Sequence, residues 1–134
     1  DPDMLLGSTP GAAATVTPVQ SRTQFNLWVV MAAPLLIGSN LLHLSAFDRE
    51  TYTNAEVLAV SQDPLGQPGF VVVDSCGEFN ETGSPSPPEC QQVWAKRLSR
   101  GAYAVLMVNW ARHPVRVQCD SGCLQSVGLY GKVD

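Results

Sequence analysis

A chain of 134 residues is long enough for one domain with its own core, and 45% hydrophobic content with a mean hydropathy of +0.03 excludes a disordered or membrane-embedded class. Eight Lys and Arg against twelve Asp and Glu leave a net charge of -4, and Arg97, Arg100, Arg112 and Arg116 form no basic stripe, so no nucleic-acid partner is expected. The longest apolar run, Leu27 to Gly38, is about twelve residues, is broken by Pro34, and falls short of the roughly 20 that cross a bilayer, so no membrane span is expected.

In chain order, Asp3 to Leu6 reads as a short apolar strand ended by Gly7-Ser8-Thr9-Pro10-Gly11. Thr17-Pro18-Val19-Gln20 supplies an N-cap, a proline at the first helical position and a glutamine three residues on, which is a capping box. The helix is predicted from Pro18 to about Ala33, with Phe25, Trp28, Val29 and Ala32 on one face and Pro34 as its stop. Leu35-Leu36-Ile37 then reads as a strand buried on both faces in a parallel sheet, and Asn40 to His43 as a strand-end loop. Ser45 with Asp48 three residues later caps a second helix from Ala46 to about Thr53. A short apolar segment, Glu56 to Val60, leads into QDPLGQPG, whose prolines and glycines read as a boundary.

Beyond that boundary the period changes. Phe70 to Val73, Cys90 to Lys96 and Tyr103 to Trp110 read as strands, with Val115 to Cys119 and Leu124 to Leu129 as a fourth and fifth. The expected fold class is therefore α/β plus all-β, with residues 1–63 forming strand–helix units and 64–134 part of an antiparallel β-sandwich. Neither half is complete by these counts: an eightfold barrel takes about 250 residues and a sandwich about seven strands. The chain is expected to be a piece of a larger protein.

Cys76 and Cys90 bracket a loop dense in Pro, Ser and Gly, and Cys119 and Cys123 form a CxxxC. Four cysteines fit two disulfides with three possible pairings. The rival, a zinc site, is disfavoured because CxxxC is not the usual ribbon spacing and His43 and His113 lie far from both pairs in sequence. No metal or other cofactor is expected. Asn80-Glu81-Thr82 is an N-x-T sequon, and with the even cysteine count it points to an oxidising, secreted or lysosomal compartment.

Four segments together carry a resemblance: DPDML, LWVVMAAPLLIGSNL, HLS and EVLAVSQDPLGQPG, in this order over Asp1 to Gly69. They closely resemble the glycoside hydrolase family 27 α-galactosidases, or melibiases, whose segments read DPDM, LWxxMAAPLxxxxDL, HIS and VIAINQDPLGxQG. More loosely, Val93 to Leu98 and Tyr103 to Val105 are similar to the family's VWxRPL and WAVAxxN, and Cys119 to Cys123 resembles a short bridge of animal members. The Cys76 to Cys90 loop, and Asn40 where the family has Asp, are departures.

The resemblance implies a retaining exo-glycosidase acting on terminal α-linked galactose, built as a (β/α)8 barrel followed by an antiparallel β domain. This chain would supply the last two strand–helix units of the barrel and the start of the β domain. Retention takes two carboxyl groups about 5–5.5 Å apart, and in the family both lie upstream of DPDM, so no catalytic residue is expected here and the isolated chain is expected to be inactive. Asp1 and Asp3, alternate residues of one strand, could geometrically be such a pair, but the resemblance assigns Asp3 and Met4 to the wall of the sugar pocket. Asp1 is expected to hold a loop behind them. The implied pairing is Cys119 with Cys123, leaving Cys76 with Cys90.

Trp28 and Met31 read as helix packing, Trp94 and Trp110 as core or rim of the β unit, and His43 and His113 as structural or surface residues. Expected partners are a galactose-terminated carbohydrate, the N-terminal part of the same barrel, and a second copy in a homodimer or larger assembly. The competing reading is a non-catalytic, glycosidase-like scaffold or binding subunit.

Overall fold

The computed structural model describes residues 2–9, 16–77 and 89–128. The chain divides into two compact units, Asp1–Pro68 and Gly69–Asp134.

In the first unit, the expected parallel pairing is reduced to a single bridge between Leu5 and Ile37. The Leu5 N–H donates to the Leu36 carbonyl at 2.8 Å and the Gly38 N–H to the Leu5 carbonyl at 2.9 Å. The burial expected on both faces of Leu35–Ile37 is not found. Leu36 and Ile37 are 58% and 42% exposed, because no layer among the described residues covers their outer face.

Helix α1, Pro18–Val30, begins at the predicted capping box: the Gln20 N–H donates to Thr17 Oγ1 at 3.3 Å and the Thr17 N–H to Gln20 Oε1 at 2.9 Å. Its end is earlier than the expected Ala33, and Pro34 is not what stops it. Ala32 takes φ 56°, its N–H donates to the Val29 carbonyl, and the Ala33 N–H donates to the Trp28 carbonyl. These are the two bonds of a Schellman motif, with alanine where glycine is usual.

Ser45 caps α2, Ala46–Tyr52, by accepting from the Asp48 N–H at 3.0 Å. Asn54 caps α3, Ala55–Ser61, by accepting from the Val57 N–H at 3.1 Å. The apolar segment at 56–60 is thus helical, its start marked by an asparagine. Leu5, Phe25, Val29 and Tyr52 form the buried core of this unit, with the Phe25 and Tyr52 rings 5.2 Å apart and tilted by 38°. Each such side chain contributes roughly 1.5–3 kcal/mol through burial.

The second unit holds one antiparallel sheet of three strands, β1 Phe70–Asp74, β2 Gln91–Arg97 and β3 Tyr103–Asn109, in that spatial order. Trp94 pairs with Leu106 and Lys96 with Ala104, while Val71 and Val73 of β1 oppose Trp94 and Val93, leaving Val72 as a bulge. Arg100 at φ 60° and Gly101 at φ 75° turn β2 into β3, both in the left-handed region, as the twist of a tight hairpin demands.

Two expected strands are corrected. Val115 to Cys119 forms no strand, and the first half of the fifth, Leu124 to Ser126, lies in α4, Ser121–Ser126, while Leu129 lies outside the described residues. Asp120 caps that helix by accepting from the Cys123 N–H at 3.0 Å, and Cys123 within it and Val127 at its C-cap, four residues apart, are buried. Their spacing is helical, although the apolar letters also fit an alternating pattern. With three strands in one sheet, the two-layer sandwich is not formed among the described residues.

Candidate functional site

The resemblance singles out Asp3 and Met4, and both side chains are exposed at the start of the bridged segment, Met4 by 50%. The Met4 N–H donates to Asp3 Oδ1 at 2.7 Å, which fixes the carboxylate against its own backbone. Gly38 lies under Met4: a Cβ at that glycine would sit 2.8 Å from Met4 Cβ and 3.3 Å from its sulfur, so only glycine lets the two segments approach this closely.

Helix α1 holds the same segment from the other side. The Trp28 indole N–H donates to the Asp3 carbonyl. One turn earlier, Gln24 Oε1 accepts the Leu6 N–H at 3.0 Å, and its amide nitrogen reaches the Met4 carbonyl in a longer contact of 3.5 Å.

Immediately after Leu6, Gly7 turns at φ 71° and its missing Cβ leaves room for Ser39, whose Cβ would be 2.9 Å away. The turn then closes onto a buried carboxylate. Asp48 Oδ2 accepts from the Ser8 N–H at 2.7 Å, from the Ser8 hydroxyl at 2.8 Å and from the Ser45 hydroxyl at 2.8 Å, while Oδ1 accepts from the Ser21 hydroxyl at 2.6 Å. Burial pushes the Asp48 pKa up, but the bonds from Ser21, Ser8 and Ser45 favour the charged form more strongly and hold it below its ordinary value. Ser21 also lies 3.0 Å from the Tyr52 hydroxyl. Burial, reinforced by the nearby Asp48 charge, raises the Tyr52 pKa against the opposing hydrogen bonds of Ser21 and the Gly7 backbone.

Sequence reasoning saw Asp48 only as a capping partner of Ser45. Its ties to Ser8 and Ser21 span 40 and 27 residues, and nothing local signals them. From the sequence Trp28 reads as packing alone, and Gln24 carries no signal. Asn40, where the resembled family has Asp, accepts the Leu42 N–H through Oδ1 at 3.0 Å and caps the turn Leu41–His43.

The other singled-out residues are dispersed. Asp1 and Asn80 lie outside the described residues. His43 is exposed, and its carbonyl accepts from the Thr9 hydroxyl. His113 faces Glu89 at 3.7 Å, both well exposed. Trp94 and Trp110, half-buried, donate their indole N–H groups to Gln92 Oε1 at 3.2 and 3.1 Å, and Gln92 donates to Asp74 Oδ2 at 3.2 Å. Disulfides join Cys76 to Cys90 and Cys119 to Cys123, and no cysteine is free. No group of three or more metal-ligating side chains occurs among the described residues, and no helix among them is long and apolar enough to cross a membrane.

An α-galactosidase from Saccharomyces cerevisiae superposes on 80% of this chain and 22% of its own, with a TM-score of 0.64 at 27% identity. That match sets the fold among the glycoside hydrolases.

The melibiase family model described as alpha galactosidase A matches residues 1–63. Alpha-galactosidase 3 of Arabidopsis thaliana is 35% identical over 117 residues, 87% of this chain and 24% of that one. Human alpha-galactosidase A is 33% identical over 109 residues, 81% of this chain and 21% of that one. The chain belongs to glycoside hydrolase family 27, the α-galactosidases. It spans about a quarter of the length of the curated relatives it matches.

Proposed function

We propose that this chain works as part of a retaining exo-glycosidase that removes terminal α-linked galactose, with nucleophile and acid/base supplied by residues outside it. The observation that carries this is the exposed Asp3–Met4 pair, held by its own backbone, Gly38 and α1, in a chain of the α-galactosidase family. Asp3 is an acceptor for sugar hydroxyls, and Met4 offers an apolar, polarisable surface to the C–H face of the ring. A related yeast α-galactosidase has been solved with raffinose, and a galactose-terminated carbohydrate is the substrate class proposed here.

Asp48, the one buried carboxylate among the described residues, does not serve as acid or base. Its oxygens accept four hydrogen bonds and its pKa is held down, the opposite of what a general acid needs. Exposed Met4, Leu36, Ile37, Leu41 and Leu42 support a surface that packs against the remainder of a (β/α)8 barrel, the N-terminal part of the same protein. In this reading 1–63 closes the barrel and 64–134 opens a β-sandwich. Two disulfides support export to an oxidising compartment, secreted or lysosomal.

Purified chain incubated with p-nitrophenyl α-galactoside is expected to release no nitrophenol. A longer protein that carries it is expected to turn the substrate over with α-galactose as first product by NMR. Turnover by the chain alone, or a longer protein that binds galactose without hydrolysing it, would overturn the reading, the second in favour of a binding scaffold.

A further inference from the structure

We infer that Gln24 and Trp28 form a clasp that sets the position of Asp3 and Met4 for sugar binding; this rests on the reading of those two residues as the sugar-facing pair. The two clasp residues are four apart on α1, so their side chains lie one above the other on a single face. From that face they reach three backbone groups of the extended segment: the Asp3 carbonyl, the Met4 carbonyl and the Leu6 N–H.

The opposite edge of the segment is held differently. There Leu5 alone exchanges bonds with Leu36 and Gly38. A single bridge fixes one residue and leaves rotation about it, which would swing Asp3 and Met4 together. The Trp28 bond to Asp3 on one side of Leu5 and the Gln24 bond to Leu6 on the other remove that freedom. The groups they hold are the carbonyls of Asp3 and Met4 and the N–H of Leu6, within and just after the pair that faces the ligand.

Trp28 and Gln24 therefore act through Asp3 and Met4 rather than by touching substrate. Their effect belongs in sugar affinity and KM, where a displaced contact shows, and less in kcat.

The test uses the longer protein that carries this chain. Trp28→Phe keeps an aromatic ring on α1 while losing the indole N–H together with the fused pyrrole ring; KM for p-nitrophenyl α-galactoside and the Kd for galactose by calorimetry are each expected to rise about fivefold, the scale of one lost hydrogen bond, with kcat within about twofold. Combined with Met4→Ala, the losses are expected to fall short of their product, because both act on one contact. Gln24→Leu is expected to speed hydrogen exchange at the Leu6 amide and to weaken galactose binding in parallel. Val19→Ala, on the solvent side of α1, is the control. Unchanged KM and Kd in Trp28→Phe, or losses that multiply in full with Met4→Ala, would overturn the clasp while leaving the glycosidase reading in place. A wild-type protein that neither binds nor hydrolyses galactosides would remove both.

Discussion

The Ser21 hydroxyl donates to Asp48 Oδ1 at 2.6 Å, joining α1 to α2 through two fully buried polar side chains. Around that bond the turn after Leu6 is fastened by the Ser8 N–H and hydroxyl, so one carboxylate ties three segments together. A buried charge is tolerable when every oxygen is satisfied, and removing a donor leaves part of it bare. Ser21→Ala is expected to destabilise the protein by about 1–3 kcal/mol, and Asp48→Asn, which turns one acceptor into a donor facing hydroxyls, by about 2–4 kcal/mol. Thermal or urea unfolding checks both.

The same network sets a pH window. Asp48 is held below its ordinary 3.8, so the unfolded state binds the proton first as pH falls. Its contribution is full above 3.8 and is lost as pH drops through the lower, folded value. Tyr52 is raised above its ordinary 10.0, so its contribution is full below pH 10 and is lost as pH rises through the folded value. Unfolding midpoints measured from pH 2 to 11 are expected to fall at both ends, with the acid limb flattened in Asp48→Asn.

Ala32 offers a gain. A left-handed alanine costs roughly 1–2 kcal/mol, and glycine there relieves that strain at some cost in chain entropy. Ala32→Gly is expected to raise stability by about 0.5–1 kcal/mol. Its neighbour in type, Gly7, predicts the reverse: Gly7→Ala meets Ser39 as well as the left-handed region and is expected to lose about 2 kcal/mol or more.

Gln92 tests the second unit. Gln92→Leu leaves two half-buried indole N–H groups without their acceptor, an expected loss of about 2–4 kcal/mol, with a change in tryptophan emission. Gln92→Glu keeps an acceptor for both indoles but faces Asp74 at the position of the present 3.2 Å bond. It is expected to be destabilised at neutral pH and to recover when combined with Asp74→Asn.

The disulfides differ in reach. Cys76–Cys90 is separated by 14 residues and Cys119–Cys123 by 4, so on loop entropy the first is expected to contribute about 3 kcal/mol and the second about 2. Replacing each pair by serine and comparing urea midpoints checks the order.

What the sequence made legible was local. Thr17 with Gln20, and Ser45 with Asp48, declare helix starts within four residues, and the alternating side chains of Tyr103 to Trp110 show β3 directly. The β2–β3 register follows from the short turn between them. What failed was ambiguity over few residues: Leu124 to Leu129 fits a strand by its apolar letters, while Asp120 and the Cys123–Val127 pair fix a helix. At the candidate site, motif resemblance singles out Asp3 and Met4, whose role is the proposal made above. It could not find Gln24, Trp28 or Ser21, whose bonds cross 18 to 27 residues of chain and depend on how α1 lies against the extended segment.

The bulge at Val72 has a further consequence, in how copies of the protein meet. β1 lies at the edge of the described sheet with Phe70, Val71 and Val73 partly exposed, a composition that invites another extended chain to add itself alongside. The extra residue between Val71 and Val73 breaks the even spacing of backbone donors and acceptors along that rim and increases its local twist. A straight strand from a second molecule finds no continuous row to zip against, so the irregularity guards the unit against aggregation.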